Sequence, residues 1–282
     1  MSTLKTFMYF VRERENIRLR KEQGLPPPYT ADKILAHYRF CNAYRELDDV
    51  TKWIYKYWLK PHEKDPDVWF AAAVARFLNL PETLTEIGYP VPWNSRRFAK
   101  ILSKRRRQKL QIFNGAYMIS SKLPGQEKYV YLQRMVFGPL WKKREKLRPR
   151  KGDTLEAFHQ RLLSCYGLGS FLAAQIVADM KNLEPLKSAT DWWDFAASGP
   201  GSRRGLNRLL GRPVKAPWKE EDWRAELAKL RAQLKPEFEA EGLPVPDAQN
   251  FQNQLCETDK MIRTLNGEGH PKRKYVAQVQ LL

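Results

Sequence analysis

The sequence predicts a mostly helical protein, and three observations point there. Apolar residues recur at three- and four-residue spacing in several windows, long alternating strand patterns are missing, and the periodic runs are bracketed by cap residues, glycines and prolines.

In chain order, Ser2 to about Gln23 predicts a helix that Gly24 and Pro26, Pro27 and Pro28 stop. Thr30 is placed to cap a second helix running to about Trp58. In it Phe40, Tyr44, Leu47, Thr51 and Ile54 form a mainly apolar stripe, with Asn42, Arg45, Asp48 and Asp49 on the other side. Pro66 to Leu80 predicts a buried helix. Trp93 to about Ser121 predicts an amphipathic one, where the basic run that includes Arg105 and Arg106 surrounds Phe98, Ile101 and Leu102. Lys142 to Lys151, KKREKLRPRK, has the composition of a basic linker. Asp153 then caps a helix bearing Leu155, Phe158 and Leu162, with Glu156 at a capping-box position. Ala225 to Phe238 and Ala248 to Leu265 predict the last two helices, and small strands are expected near Tyr275 to Leu282. No repeat or low-complexity segment interrupts this order. The organisation expected is one helical domain over 1–282 with two lobes. It contains a helical hairpin at 153–181, a loop and helix at 188–211, and a C-terminal helix with a basic segment at 248–275.

Composition bounds the function classes. The chain has 282 residues, 50 Lys+Arg against 31 Asp+Glu and a formal net charge of +19. Such an excess, spread along a chain that is 43% hydrophobic, suits a folded basic surface for a polyanion and excludes wholesale disorder. No apolar run is long enough for a membrane span, and the first residues lack a secretory pattern. Cys41, Cys165 and Cys256 are far apart and form no CxxC, so a disulfide framework is not expected and a reducing cytoplasm fits. His37 and Cys41 stand four apart without a second pair, so no zinc site is expected.

The stretch CYGLGSFLAAQIVADM, Cys165 to Met180, supplies the first functional signal. Gly167 and Gly169 permit a tight turn and close approach, and Ser170 can cap the following helix, whose free amides and positive dipole end suit a phosphate oxygen. A tight αα-hairpin in a core is the competing reading. The order apolar helix, GLG, apolar helix resembles the helix-hairpin-helix DNA glycosylase superfamily, whose members carry an essential aspartate about twenty residues on. Asp191 lies 22 residues after Gly169. It is also a plausible cap before Trp192-Trp193. Lyase-type members place a lysine just after the second glycine; Ser170 and Phe171 stand there, which disfavours a Schiff-base lyase.

Four further stretches sharpen the resemblance: YTADKILAHYRFCNAYRELDDVTKWI, IFNGAYMI, DWWDFAASGPGSRRGLNR and LCETDKMIRTLNGEGHPKRKY. Together they resemble a bacteriophage family related to DNA glycosylases, named α-glutamyl/putrescinyl-thymine pyrophosphorylase or amino acid:DNA transferase. They are also similar to the helical module of phage 5-hydroxymethyluracil DNA kinases. The resemblance spans nearly the whole chain. It implies a step in thymine hypermodification in the cytoplasm of an infected bacterial host. An amino acid or amine displaces pyrophosphate from the 5-methylene carbon of activated 5-hydroxymethyluracil in double-stranded DNA, leaving the glycosidic bond intact. No Walker A sequence is present, so phosphorylation itself is not expected. A monofunctional glycosylase and a non-catalytic DNA-binding module working with a kinase are the alternatives.

That chemistry assigns expected roles. A flipped base needs aromatic walls, for which Trp192, Trp193 and Tyr44 are candidates. The leaving pyrophosphate needs amides and cations, for which Gly199, Gly201, Ser202, Arg203 and Arg204 are candidates, with Gly205 also permitting approach. Asp191 is the first candidate for deprotonating the incoming ammonium or for steadying positive charge at the methylene carbon. Asn42, Arg45, Asp48 and Glu257 are further catalytic candidates, with Asn42 at the uracil edge and Arg45 at phosphate. A solvated face with an Arg45–Asp49 pair is the bland reading of the first three. Lys260 lines the site or pairs with Glu257. Gly167, Gly169, Ser170, Arg105, Arg106, Lys272, Arg273 and Lys274 are candidate DNA contacts. No cofactor is demanded beyond the amino acid or polyamine co-substrate; Mg²⁺ is compatible, although no acidic cluster requires it.

Overall fold

The computed structural model describes residues 2–114, 126–271 and 274–275, and these are mostly helical. The helices are α1 (Thr3–Glu22), α2 (Lys33–His37), α3 (Asp49–Trp53), α4 (Val68–Leu78), α5 (Pro81–Ile87), α6 (Ser95–Arg107) and α7 (Lys128–Tyr131). They continue as α8 (Gly138–Lys142), α9 (Arg144–Leu147), α10 (Leu155–Leu163), α11 (Ser170–Met180), α12 (Pro200–Leu209), α13 (Glu220–Ala240) and α14 (Ala248–Leu265). Among the described residues the only β pairing is an isolated antiparallel bridge between Tyr38 and Lys274. None of the described helices is long and apolar enough to cross a membrane. The chain divides into two compact units, one of residues 1–48 with 196–282, the other of residues 49–195.

The first unit packs α1, α13 and α14 around Phe7, Phe10, Val11, Ile17, Trp223, Leu227, Phe238, Phe251 and Leu255. Ser2 caps α1 by accepting the Lys5 amide, and Asp247 caps α14 by accepting the Asn250 amide at 2.8 Å. Helix α12 lies so close to α14 that two positions on it tolerate only glycine. A Cβ at Gly205 would stand 2.3 Å from the Leu255 carbonyl oxygen, and one at Gly201 would stand 2.3 Å from Cys256 Sγ.

The second unit is built on α4, whose eleven residues are all buried. Its Arg76 makes a two-pronged buried pair with Asp179 of α11, at 2.5 and 2.6 Å, and also reaches Asn79 and Thr51. Arg148 pairs with Asp67 just before α4.

The structure corrects several expectations. The helix expected from Thr30 to Trp58 is broken. Asp32, not Thr30, caps the short α2; residues 38–44 are irregular, one tight turn covers Arg45–Leu47, and α3 starts at Asp49. Asn42, Arg45 and Asp49 therefore do not share a helix face. The cause is tertiary. The backbone of residues 40–45 bonds side chains from α1 and α14, described below, and a helix would have consumed those groups internally. Helix α6 ends at Arg107; part of the remaining stretch to Ser121 lies outside the described residues, as does Ile112–Ile119 from 115 on. The expected basic linker carries α9, and Thr154 rather than Asp153 caps α10, while Asp153 pairs with Arg161 at 2.8 Å. Tyr44 is a core residue whose hydroxyl donates to the Pro244 carbonyl. The strands expected at 275–282 fall outside the described residues apart from Tyr275, whose amide donates to His37.

Candidate functional site

The irregular stretch Phe40–Asp48 in the first unit is held open by side chains far away in sequence. Arg14 of α1 is buried. It donates to the carbonyls of Cys41 (3.0 Å) and Phe40 (3.3 Å) and to Asn42 Oδ1 (3.0 Å). From α14, Asn253 donates to the Asn42 carbonyl and Gln254 to the Ala43 carbonyl, both at 3.2 Å. The freed amides find carboxylates and an amide oxygen. Cys41 N–H donates to Glu257 Oε2, Asn42 N–H to Asp48 Oδ1 and Arg45 N–H to Asn250 Oδ1, each at 2.9 Å.

This arrangement gathers two carboxylates, an ammonium and two thiols. Lys260 Nζ lies 2.5 Å from Glu257 Oε2 and 4.6 Å from the centre of the Phe40 ring. Burial pushes the Asp48 carboxyl up to about 6; the Asn42 amide opposes this, the Glu257 charge adds to it, and Arg45 and Arg14 pull against it. The Glu257 carboxylate raises the Cys41 thiol well above its ordinary value, with desolvation adding to the effect. Desolvation, then Glu257, takes Cys256 to about 12. Both thiols are therefore protonated at neutral pH and poor nucleophiles. Burial opposes the Lys260 charge most strongly, but Glu257 together with the neighbouring Cys41 and Cys256 outweighs it and raises the ammonium pKa. Chemically, the cluster offers a carboxylate that changes protonation near neutrality beside a permanently cationic lysine. That combination suits proton transfer at a polar substrate.

The structure thus brings Asn42, Asp48, Glu257 and Lys260 together, with Arg45 acting on Asp48. The expected pyrophosphate residues sit on α12 in other roles. Ser202 is wholly buried; its hydroxyl accepts from the Gly199 amide and donates to the Gly199 carbonyl within the same turn. Gly201 and Gly205 serve helix packing. Arg203 is engaged by Ser198 and Glu220, and Arg204 by Asp259 at 2.8 Å.

In the second unit, Asp191 caps α10 from a distance. Its two oxygens accept the amides of Leu155 (2.7 Å) and Glu156 (2.9 Å). Trp192 donates to the Lys181 carbonyl, carries the Lys181 ammonium 3.9 Å from its ring centre and stacks on the exposed Trp193. The GLG turn joins α10 to α11. Gly167 has φ +87° and would place a Cβ 2.7 Å from Val136, so glycine is required there twice over. Gly169 faces open space and is itself the cap position, leaving Ser170 as the first helical residue instead of the expected cap. Arg105 is only 5% exposed and holds the Gln111 carbonyl and Glu86, so it is not a surface contact. Arg106 is exposed and pairs with Glu127. Lys274 is exposed in the bridge to Tyr38, while Lys272 and Arg273 lie outside the described residues.

Sequence reasoning missed Arg14, Cys41, Asn250, Asn253 and Gln254. Arg14 had a legible signal, because it interrupts the apolar stripe Phe7, Phe10, Val11, Ile17 at a helical position.

Residues 1–270 match the family model of the 5-hmdU DNA kinase helical domain. The chain belongs to that family. A relative is the 5-hmdU DNA kinase of Bacillus phage SP10, 26% identical over 231 residues, which cover 72% of this chain and 36% of the relative. The chain therefore spans about a third of that kinase's length. No solved structure matches. The family match takes in the stretch Phe40–Asp48, α12 and the whole chain up to His270, so both halves of the carboxylate cluster belong to the shared helical domain.

Proposed function

We propose that the chain modifies 5-hydroxymethyluracil-derived bases in phage DNA as a group transferase. In this reading an amine attacks the 5-methylene carbon. The new C–N bond forms as the C–O bond to pyrophosphate breaks, pyrophosphate leaves with the electron pair, and the amine's proton passes to Asp48. The observation that carries the reading is the Asp48–Glu257–Lys260 cluster on an irregular loop, with Asp48 raised to about 6 and so able to accept a proton at neutral pH. The kinship with a 5-hmdU DNA kinase helical domain supports the substrate class. Asp191, with both oxygens committed to amides, acts in this scheme as a structural cap. Lys260 counters the charge of the leaving group in this scheme.

The test incubates DNA carrying pyrophosphorylated 5-hydroxymethyluracil with the protein and a pool of amino acids and polyamines, then digests it to nucleosides for mass spectrometry. A new amine adduct with released pyrophosphate is expected, and Asp48→Asn abolishes it while DNA binding persists. Absence of any adduct refutes the reading.

A second reading is a non-catalytic DNA-binding module that presents the base to a kinase. The observation favouring it is that the matched helical region makes up about a third of the kinase relative. DNA binding without an adduct, together with stimulation of a 5-hydroxymethyluracil kinase, would select it.

A further inference from the structure

The stretch TKWIYKYWLK, Thr51 to Lys60, carries aromatic and basic residues in alternation, and nothing in the proposed chemistry uses it. Residues Ile54–Leu59 form one wide turn, closed by the Lys60 amide donating to the Tyr55 carbonyl five residues back. Its inner face is anchored. Thr51, Ile54, Trp58 and Leu59 are buried, Thr51 accepts from Arg76, and Trp58 donates from Nε1 to the Ala71 carbonyl of α4 at 2.9 Å. Its outer face presents Lys52, Tyr55, Lys56 and Tyr57 to solvent, with Tyr57 56% and Tyr55 37% exposed. The Lys56 ammonium lies 5.0 Å from the Tyr57 ring centre, and Trp53 flanks the same ring at 5.8 Å.

Exposed aromatic rings on a rigid base, interleaved with lysines, match the demands of an unpaired nucleic-acid strand. Every base has a π-face that can stack on tyrosine, and each phosphate can meet an ammonium. A duplex hides its base faces, so the tyrosines have no comparable use there. The segment's charge is complementary: three lysines stand against one carboxylate, Asp49, between Asp49 and Lys60. Lys60 is held by Glu63 at 2.5 Å, whereas the Lys56 ammonium beside the Tyr57 ring is placed to meet a phosphate.

We infer that the Lys52–Tyr57 surface binds an unpaired DNA strand, with Tyr57 and Tyr55 as stacking platforms. The inference rests on DNA being the substrate. A base withdrawn from the duplex leaves locally unpaired neighbours, and this surface suits them.

The experiment measures fluorescence anisotropy of a labelled mixed-sequence single-stranded oligonucleotide and of its duplex, with wild-type protein and Tyr57→Ala, Tyr57→Phe, Tyr55→Ala and Lys56→Gln. Tyr57→Ala should weaken single-strand binding about tenfold or more, Tyr57→Phe should leave it close to wild type, and duplex binding should change less. Lys56→Gln should reduce the slope of log affinity against log salt by about 0.7. Wild-type binding that Tyr57→Ala and Tyr55→Ala leave unchanged overturns the inference and spares the transferase reading. A wild-type protein that binds neither DNA form overturns both. Stronger binding to phosphatidylserine-containing vesicles than to DNA, lost in Tyr57→Ala, would assign the surface to a membrane and overturn the inference.

Discussion

Replacing Asp48 by asparagine should make the protein more stable at pH 8 while it stops the proposed chemistry. The Asp48 carboxyl is raised from its ordinary 3.8 to about 6, chiefly by desolvation. The native state therefore binds a proton more tightly than the unfolded chain. This group's stabilisation is fully present below about pH 4 and is lost as pH rises through about 6. At about 1.36 kcal/mol per pH unit the shift corresponds to about 3 kcal/mol, and solvent screening at this half-buried residue reduces it to about 1–2 kcal/mol. Asparagine keeps an oxygen for the Asn42 amide and carries no charge to desolvate. Urea denaturation should accordingly find Asp48→Asn stabilised by about 1–2 kcal/mol at pH 8 and near wild type at pH 4. Wild-type transferase activity should rise with pH through about 6, as the base form of Asp48 fills. A variant less stable than wild type at pH 8, or a difference independent of pH, would refute the account of the cluster.

Gly205→Ala should destabilise the first unit by about 1–3 kcal/mol or more, since the added methyl meets the Leu255 backbone and not a movable side chain; an unchanged melting temperature would refute the packing role of the glycines. Asp191→Asn should cost about 1–2 kcal/mol, because the amide group retains one acceptor oxygen for two helix amides and loses the favourable charge at the α10 N-terminus. Urea unfolding checks it, and a loss of adduct formation with no stability change would return Asp191 to the chemistry. Asp179→Asn should cost about 3–5 kcal/mol by stranding the buried Arg76 charge, read as a lowered denaturation midpoint.

What was legible in the sequence were elements whose determinants are local. Ser2 and the Gly24–Pro28 stop bound α1, and the periodicity over Ala248–Leu265 marks α14 to the residue. The GLG turn, too, was visible, because a positive φ and a close neighbour both demand Gly167. What failed was the helix expected across Thr30–Trp58. Its apolar spacing is genuine, yet the Arg14 guanidinium of α1 and the Glu257 carboxylate and side-chain amides of α14 bind the backbone of residues 40–45 in place of helical partners. The same cause hid half of the candidate site. Asp48 and Glu257 both stood out as polar residues in suggestive stretches, but nothing local relates residues more than two hundred positions apart.

The glycines of α12 show the converse error. SGPGSRRGLNR has the composition of a phosphate loop, and glycine does permit close approach. The approaching group is not an anion but α14, which Gly201 and Gly205 admit at a distance that no side chain would allow. That contact has a functional consequence of its own. It presses α12 against the turn of α14 that carries Cys256, next to Glu257 and four residues before Lys260, while the other side of α14 holds Phe40–Asp48 through Asn253, Gln254 and Glu257. The position of the carboxylate cluster therefore depends on how closely two helices meet. The glycine motif contributes to the proposed chemistry by setting where α14 lies, one step removed from the substrate.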